Sequence, residues 1–132
     1  MRDHAIPSRL NSRVASIDHI QIAAPQGCES AARDFYGTIL GMKEIEKPPV
    51  LRARGGCWFE CGSQQVHIGV ERDFKPARKA HAAFAVSDLA ELRGTLKARG
   101  VKIVEDDNLP GARRFYAEDP WGNRIEFVEV LA

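Results

Sequence analysis

Three histidines and one glutamate are the side chains of this sequence best suited to chemistry. His67, His81 and Glu126 each lie between apolar residues in a predicted strand, whereas His19 lies between Asp18 and an isoleucine. Successive side chains of a strand point to opposite faces of the sheet, so the apolar neighbours suit a buried face and the polar side chains the other one. Imidazole and carboxylate groups are good ligands for divalent Zn, Ni, Co, Fe and Mn. The four residues are therefore candidate ligands of one divalent metal ion.

These residues are embedded in a pattern of elements that occurs twice. Each copy consists of a strand, an amphipathic helix and three further strands, and the residues after the two helices are similar, with GMKEIE at 41–46 and GVKIVE at 100–105. The periodicity predicts, in order, a strand near 17–22, a helix over 28–40, strands at 42–46, 51–61 and 65–71, a strand near 81–86, a helix opened by Asp88 and closed by Gly100, and strands at 101–105, 113–118 and 124–130.

The four candidate ligands hold matching places in this repeat. His19 and His81 are in the first strand of each copy, and His67 and Glu126 are in the last. His67 follows His19 by 48 residues, and Glu126 follows His81 by 45. Approximate two-fold symmetry between the copies would bring the two pairs towards one axis. Four ligands would leave two positions of an octahedral ion open to two oxygens of a substrate.

Length and composition limit the remaining possibilities. The chain of 132 residues suits one domain, and its net charge of +1 argues against an extended nucleic-acid surface. It contains no apolar segment long enough to span a membrane, and residues 1–16 lack the apolar core of a secretory signal, so we expect a cytoplasmic protein. We predict a tail at 1–16 and a single domain at 17–130, with module one at 17–71 and module two at 80–130. The three cysteines are expected to be reduced thiols.

Two arginines, Arg54 and Arg114, remain open to two interpretations. Either they are solvated strand residues, or they bind an anionic group of a substrate through paired hydrogen bonds. The segment 119–123, Asp-Pro-Trp-Gly-Asn, is expected to form the turn that sets the register of the strand carrying Glu126. Trp58, together with Phe59 and Trp121, is assigned to the core or to a subunit interface, with lining of the pocket as the alternative.

The sequence resembles the vicinal oxygen chelate superfamily, which includes glyoxalase I, bleomycin-resistance proteins and extradiol dioxygenases. The similarity extends from about residue 17 to residue 129. It is carried by IDHIQI at 17–22, by ARDFY at 32–36 followed by LGM at 40–42, by KAHAAFAV at 79–86 and by DPWGNRIEF at 119–127. The resemblance implies an α+β fold of tandem βαβββ modules that form curved mixed sheets. It also implies metal ligands at His19, His67, His81 and Glu126, and a homodimer whose sites combine module one of one chain with module two of the other.

The ligand set does not select one reaction within that superfamily. Glyoxalase I usually has Glu at the position of His67, and the methylmalonyl-CoA epimerases, which also belong to the superfamily, usually have Gln. The first hypothesis is a metal-dependent, glyoxalase-like isomerase or lyase, in which Glu126 is catalytic and a small substrate chelates the metal through two oxygens. The alternatives are an Fe(II) extradiol-type dioxygenase using His19, His81 and Glu126, and a metal-free protein that binds a drug or metabolite.

Overall fold

A computed structural model describes residues 13–131 of the chain. His4 and most of the predicted tail lie outside the described residues. The chain folds into two similar modules, each a strand, a helical segment and three more strands. Module one contains β1 (His19–Ala24), α1 (Glu29–Ala32) with a π-helical extension (Arg33–Ile39), β2 (Lys43–Ile45), α2 (Pro49–Arg52), β3 (Cys57–Cys61) and β4 (Gln64–Val70). Module two contains β5 (Ala82–Ala85), α3 (Leu89–Ala98), β6 (Ile103–Asp106), β7 (Ala112–Glu118) and β8 (Arg124–Val130).

Each module forms one mixed four-stranded sheet. The strand orders are β1-β4-β3-β2 and β5-β8-β7-β6, so the last strand of each module lies beside the first. That pair is parallel in both sheets, and the other neighbours are antiparallel. The predicted α+β fold of tandem βαβββ modules is confirmed. In the described part of the chain, no helix has the length and apolar character needed to cross a membrane.

The helices explain two local features of the sequence. The predicted helix over 28–40 starts as a single α-helical turn and continues as a π-helix, in which the Leu40 N–H donates to the Phe35 carbonyl five residues earlier, at 2.9 Å. Gly41 then takes a φ of +79°, a conformation that glycine adopts without steric penalty. In module two, the Asp88 carboxylate accepts a hydrogen bond from the Glu91 N–H at 3.0 Å, which confirms the predicted start of α3.

The predicted strand at 51–61 is wrong in its first half. Pro49 is at the first position of α2, where its missing N–H costs no hydrogen bond, and β3 begins only at Cys57. Gly56 precedes it with a φ of +80°, and a Cβ added there would lie 2.0 Å from the Ile68 carbonyl oxygen. The Gly56 N–H donates to the Glu29 carboxylate at 2.6 Å. A hydrophobic pattern does not reveal this close approach of two backbones.

The turn at 119–123, between β7 and β8 of module two, makes hydrogen bonds to module one. Its buried Asp119 accepts hydrogen bonds from the Asn123 N–H and from the Tyr36 hydroxyl of the π-helix, the latter at 2.8 Å. The Asn123 amide donates to the Ala23 carbonyl of β1 at 2.9 Å. Burial raises the pKa of Asp119, although its hydrogen bonds to Asn123 and Tyr36 act in the opposite direction. The turn thus places the start of β8 against module one.

Candidate metal centre

Strand register places the four candidate ligands at equivalent points of the two sheets. In module one, Gln21 of β1 is the parallel partner of His67. In module two, Ala83 of β5 is the partner of Glu126. His19 comes two residues before Gln21, and His81 comes two residues before Ala83. His67 of module one is therefore equivalent to Glu126 of module two, and His19 is equivalent to His81. All four lie on the side of the sheet opposite the residues that pack into the core, and this side is called the open face below.

On the open face of module one, His67 is enclosed by two aromatic rings. The His19 ring stacks on it with a centroid distance of 4.1 Å, and the Trp58 ring stacks on it at 3.8 Å with an interplanar angle of 1°. Because β4 lies between β1 and β3, these rings cover His67 from its two sides and leave it 3% exposed. Its Nε2 lies 2.8 Å from Gln65 Oε1, and His19 Nδ1 lies 2.8 Å from Asp18 Oδ2.

On the open face of module two, His81 and Glu126 are in direct contact. His81 ends the linker just before β5, rather than lying inside a strand as predicted. Its Nδ1 is 2.9 Å from the Lys79 carbonyl oxygen, which can only accept, so Nδ1 carries a proton. Its Nε2 is 2.9 Å from Glu126 Oε1, and a neutral ring would leave two acceptors facing each other there. The pair therefore shares either a proton or a bound cation.

Arg114 is held next to this pair by two carboxylates. Its guanidinium donates to Glu126 Oε2 at 3.2 Å and to Asp106 Oδ1 at 3.2 Å, and it lies over the Tyr116 ring at 5.4 Å. Loss of solvent lowers the pKa of Arg114, but the hydrogen bonds to these two carboxylates together outweigh that effect, and the pKa is raised. The guanidinium thus fixes one oxygen of Glu126 and is already charge-compensated, which does not favour the interpretation of Arg114 as a binder of substrate anions.

The cavities of a single chain keep the two pairs apart. His19 and His67 line an open cavity of about 890 Å³, and His81 lines a different one of about 490 Å³. Gln21 lines both. Within residues 13–131 of one chain, no three side chains of the His, Cys, Asp or Glu type come together as a group able to hold a metal. One chain thus supplies two separate pairs of candidate ligands.

Arg54 lies outside both pairs. It is exposed and lines a cavity of about 280 Å³ in module one, together with Gln21 and Trp58. Its role in substrate binding remains a prediction.

Three further side chains shape the open faces. Trp58 was assigned to the core or an interface, with lining of the pocket as the alternative, and the alternative is correct: it pairs across β3 and β4 with His67 and lines the same cavity. Tyr116 is its equivalent in module two, where it pairs with Glu126 and receives the edge of the His81 ring at 5.5 Å. Gln21 was not considered. The signal was present in the alternation of each strand, but only the strand register shows which residues become neighbours.

The model of the Glyoxalase/Bleomycin resistance protein/Dioxygenase superfamily matches residues 16–127, which is most of the chain. The chain belongs to this superfamily. A search of curated proteins finds no match. Among solved structures, a glyoxalase family protein from Bacillus anthracis is 50% identical, with a TM-score of 0.88, over 92% of this chain and 99% of that one.

More distant structures of the superfamily share the fold. Lactoylglutathione lyase from Agrobacterium tumefaciens is 20% identical, with a TM-score of 0.69, over 89% of this chain and 96% of that one. TnmS3, an antibiotic binding protein from Streptomyces sp. CB03234, is 18% identical, with a TM-score of 0.71, over 91% of this chain and 99% of that one. An enzyme and a binding protein thus share this architecture, and the function has to be argued from the site.

Proposed function

We propose that this protein is a metal-dependent enzyme of the glyoxalase type, an isomerase or lyase that acts on a small substrate with two neighbouring oxygens. The observation that carries the proposal is the equivalence of the two ligand pairs: His19 with His67, and His81 with Glu126, lie at matching points of two similar open faces. Imidazole and carboxylate groups are donors that divalent transition metals accept well, and here they occupy matching points of both modules.

The donor atoms of module two suit a metal ion. Two adjacent ligands, each about 2.1 Å from an octahedral ion, have donor atoms roughly 3 Å apart. His81 Nε2 and Glu126 Oε1 are separated by 2.9 Å, which matches this spacing. Because the proton of the neutral ring is on Nδ1, the lone pair of Nε2 is available to a metal ion bound beside both atoms. The proposed ligands are His19, His67, His81 and Glu126, for Zn, Ni, Co, Fe or Mn. A bound ion would act as a Lewis acid that polarises the two substrate oxygens.

Glu126 is the proposed proton carrier of this site. It is 6% exposed, and its two oxygens have different partners, His81 at Oε1 and the Arg114 guanidinium at Oε2. Arg114 therefore holds the carboxylate in position while Oε1 remains on the side of the candidate ligands. If Oε1 left the metal transiently, it could take a proton from a substrate carbon and return it to a neighbouring atom.

A homodimer would complete the centre. Because one chain presents its candidate ligands as two separate pairs, a full set requires module one of one protomer to face module two of its partner. A two-fold axis produces this arrangement twice, since each surface patch meets its counterpart on the other copy. The proposed dimer therefore contains two identical sites, each with ligands from both chains.

A complementation experiment tests the shared site directly. One variant carries His19→Ala and His67→Ala, and the second carries His81→Ala and Glu126→Gln. Each variant alone is expected to bind no metal tightly. After unfolding, mixing and refolding in equal amounts, half of the dimers are mixed, and each mixed dimer has one intact site of two. Metal analysis should therefore recover about one quarter of the wild-type content if pairing is random.

The outcomes separate the alternatives. No recovery in the mixture, with each variant folded and dimeric by light scattering, contradicts a site shared between chains. A wild-type protein that cannot be loaded with any of the five metals contradicts the enzyme proposal and favours a metal-free binding protein. With metal bound, deuterium exchange at carbon in dicarbonyl or acyl-thioester substrates supports the isomerase or lyase, whereas oxygen uptake with catechols identifies the dioxygenase.

A further inference from the structure

Two arginines approach the same tyrosine ring on the open face of module two, and they differ in how their charge is balanced. The Arg114 guanidinium is 5.4 Å from the Tyr116 ring centroid, and the Arg124 guanidinium is 5.1 Å from it. Arg114 is bound by two carboxylates, as described above. Arg124 makes no ion pair with a carboxylate in the described part of the chain, although it is half-buried.

The carboxylate nearest to Arg124 in the sheet is engaged elsewhere. Glu118 is the cross-strand partner of Arg124, but its carboxylate binds the Arg78 guanidinium at 3.1 Å. The Arg124 backbone is fixed by its N–H, which donates to the Ala77 carbonyl at 2.9 Å. The guanidinium is thus supported by an aromatic ring and by a fixed backbone, and its hydrogen-bonding capacity is available to a ligand.

A separate cavity of about 310 Å³ opens next to Arg124. Its lining includes the cations Arg78, Lys102 and Arg124 and the carboxylates Asp106 and Glu118. Both carboxylates have arginine partners, since Glu118 binds Arg78 and Asp106 binds Arg114. Lys102 and Arg124 are therefore the cations of this lining that carry uncompensated charge. Tyr116 and Val104 supply apolar surface to the same lining.

We infer that Arg124 and Lys102 bind an anionic oxygen group, a carboxylate or a phosphate, of the substrate. This inference rests on the proposed function for its link to catalysis, because Arg124 lies two residues before Glu126 on the same face of β8. Two residues of a strand span roughly 7 Å. The substrate is then a small acid whose charged group lies a few bonds from the oxygens that reach His81 and Glu126. Binding of a substrate anion, one of the two interpretations of Arg114 from the sequence, is thus assigned to Arg124.

The test measures anion binding without any metal. The chelator-treated full-length protein is titrated with inorganic phosphate and, separately, with acetate at constant ionic strength, and the arginine Nε–H signals are followed by NMR. We expect phosphate or acetate to shift the Arg124 signal, and the Arg124→Gln variant to bind about tenfold more weakly. Lys102→Gln should weaken binding to a smaller extent. The anion that binds more tightly identifies the charged group of the substrate.

Arg113 offers a matched control, because it is an exposed arginine on β7 whose side chain points to the opposite side of the sheet. Equal affinity of wild type and Arg124→Gln, an equal loss in Arg113→Gln, or no binding to the wild type would overturn the inference. Circular dichroism checks that each variant is folded. Metal content is measured in parallel. If the wild type takes up no metal but Arg124→Gln weakens anion binding, the anion site is supported and only the proposed metal-dependent reaction is contradicted.

Discussion

Gly69 leaves the space that the Gln21 side chain fills. A Cβ added at Gly69 would lie 2.0 Å from Gln21 Nε2, closer than any real contact. Gln21 is the register partner of His67, and it lines both the cavity of His19 and His67 and the cavity of His81. The absence of a side chain at residue 69 therefore helps to determine where this amide lies. Gly69 has a φ outside the left-handed region, so it is required for space and not for backbone conformation.

This contact predicts an interaction between the two positions. Gly69→Ala should displace the Gln21 side chain and lower the free energy of unfolding by about 1 kcal/mol, because the clashing atom is the end of a flexible chain. In a Gln21→Ala background the same substitution should cost nothing or stabilise the sheet. Urea unfolding of the two single variants and the double variant measures the difference. Additive effects of the two substitutions would contradict the contact.

Gly56 should respond differently, because its obstacle is backbone. The added Cβ would lie 2.0 Å from the Ile68 carbonyl oxygen, and φ is +80°. Gly56→Ala is therefore expected to lower the free energy of unfolding by more than about 2 kcal/mol. Gly62→Ala is the control, since Gly62 has a φ of +59° but no atom within 4 Å of the added Cβ, and it should cost only about 1 kcal/mol. Similar losses in both variants would argue against the close approach of β3 and β4.

The stacking of Trp58 on His67 predicts a graded effect of substitution. Trp58→Phe keeps a flat ring over the imidazole, whereas Trp58→Leu removes it and uncovers a side chain that is 3% exposed. We expect the leucine variant to be less stable than the phenylalanine variant by about 1 kcal/mol, the typical value of an aromatic pair beyond its buried area. Chemical denaturation monitored by circular dichroism provides the comparison. Equal stability of the two variants would show that the stacked geometry contributes nothing.

Removal of the Tyr36 hydroxyl should destabilise the connection between the modules in a pH-dependent way. Tyr36→Phe leaves the buried Asp119 carboxylate without one donor, at a cost of about 1 to 3 kcal/mol at neutral pH. Burial raises the pKa of Asp119 above its ordinary value of 3.8, and the hydrogen bond from Tyr36 lowers it in part. Removal of this bond should therefore raise the pKa of Asp119 further.

A carboxylate whose pKa is higher in the folded state opposes folding when ionised, so its penalty is complete above the folded pKa and disappears as the pH falls towards 3.8. The difference in stability between Tyr36→Phe and wild type should therefore be larger at pH 7 than near pH 4.5. Tyr116→Phe, whose ring is half-buried, is the control and should change stability by less than about 0.5 kcal/mol. A pH-independent loss in Tyr36→Phe would contradict the role assigned to Asp119.

The cysteines should differ in reactivity in the native protein. Burial raises the pKa of the Cys57 thiol to about 12, and it also raises the pKa of Cys28 and of the half-buried Cys61. Since the thiolate is the reactive form, Cys57 should not react with a disulfide reagent at pH 8 until the protein is unfolded, and Cys61 should react first. Cys57→Ala should leave the number of thiols that react in the native state unchanged. A decrease in that number would show that Cys57 is accessible.

The sequence by itself determined the repeat, the class of fold and the identity of the candidate ligands. A strand with one buried face has apolar residues at alternate positions, and this pattern is local. The apolar neighbours of His67, His81 and Glu126 therefore predicted, without coordinates, that these side chains point away from the core. The start of α3 at Asp88 and the turn at 119–123 were readable for the same reason, because a capping side chain and turn residues act within a few positions.

Only the tertiary structure decided which of these side chains meet. Strand register places Trp58 on His67 and Tyr116 beside Glu126, and it pairs Arg114 with two carboxylates while leaving Arg124 available. These contacts join residues 8 to 12 positions apart in the chain, and a shift of register by one residue would turn each side chain to the other face. The close approach of the Gly56 backbone to β4, just before β3 begins at Cys57, is likewise a property of two strands together and cannot be read from the sequence of either strand alone.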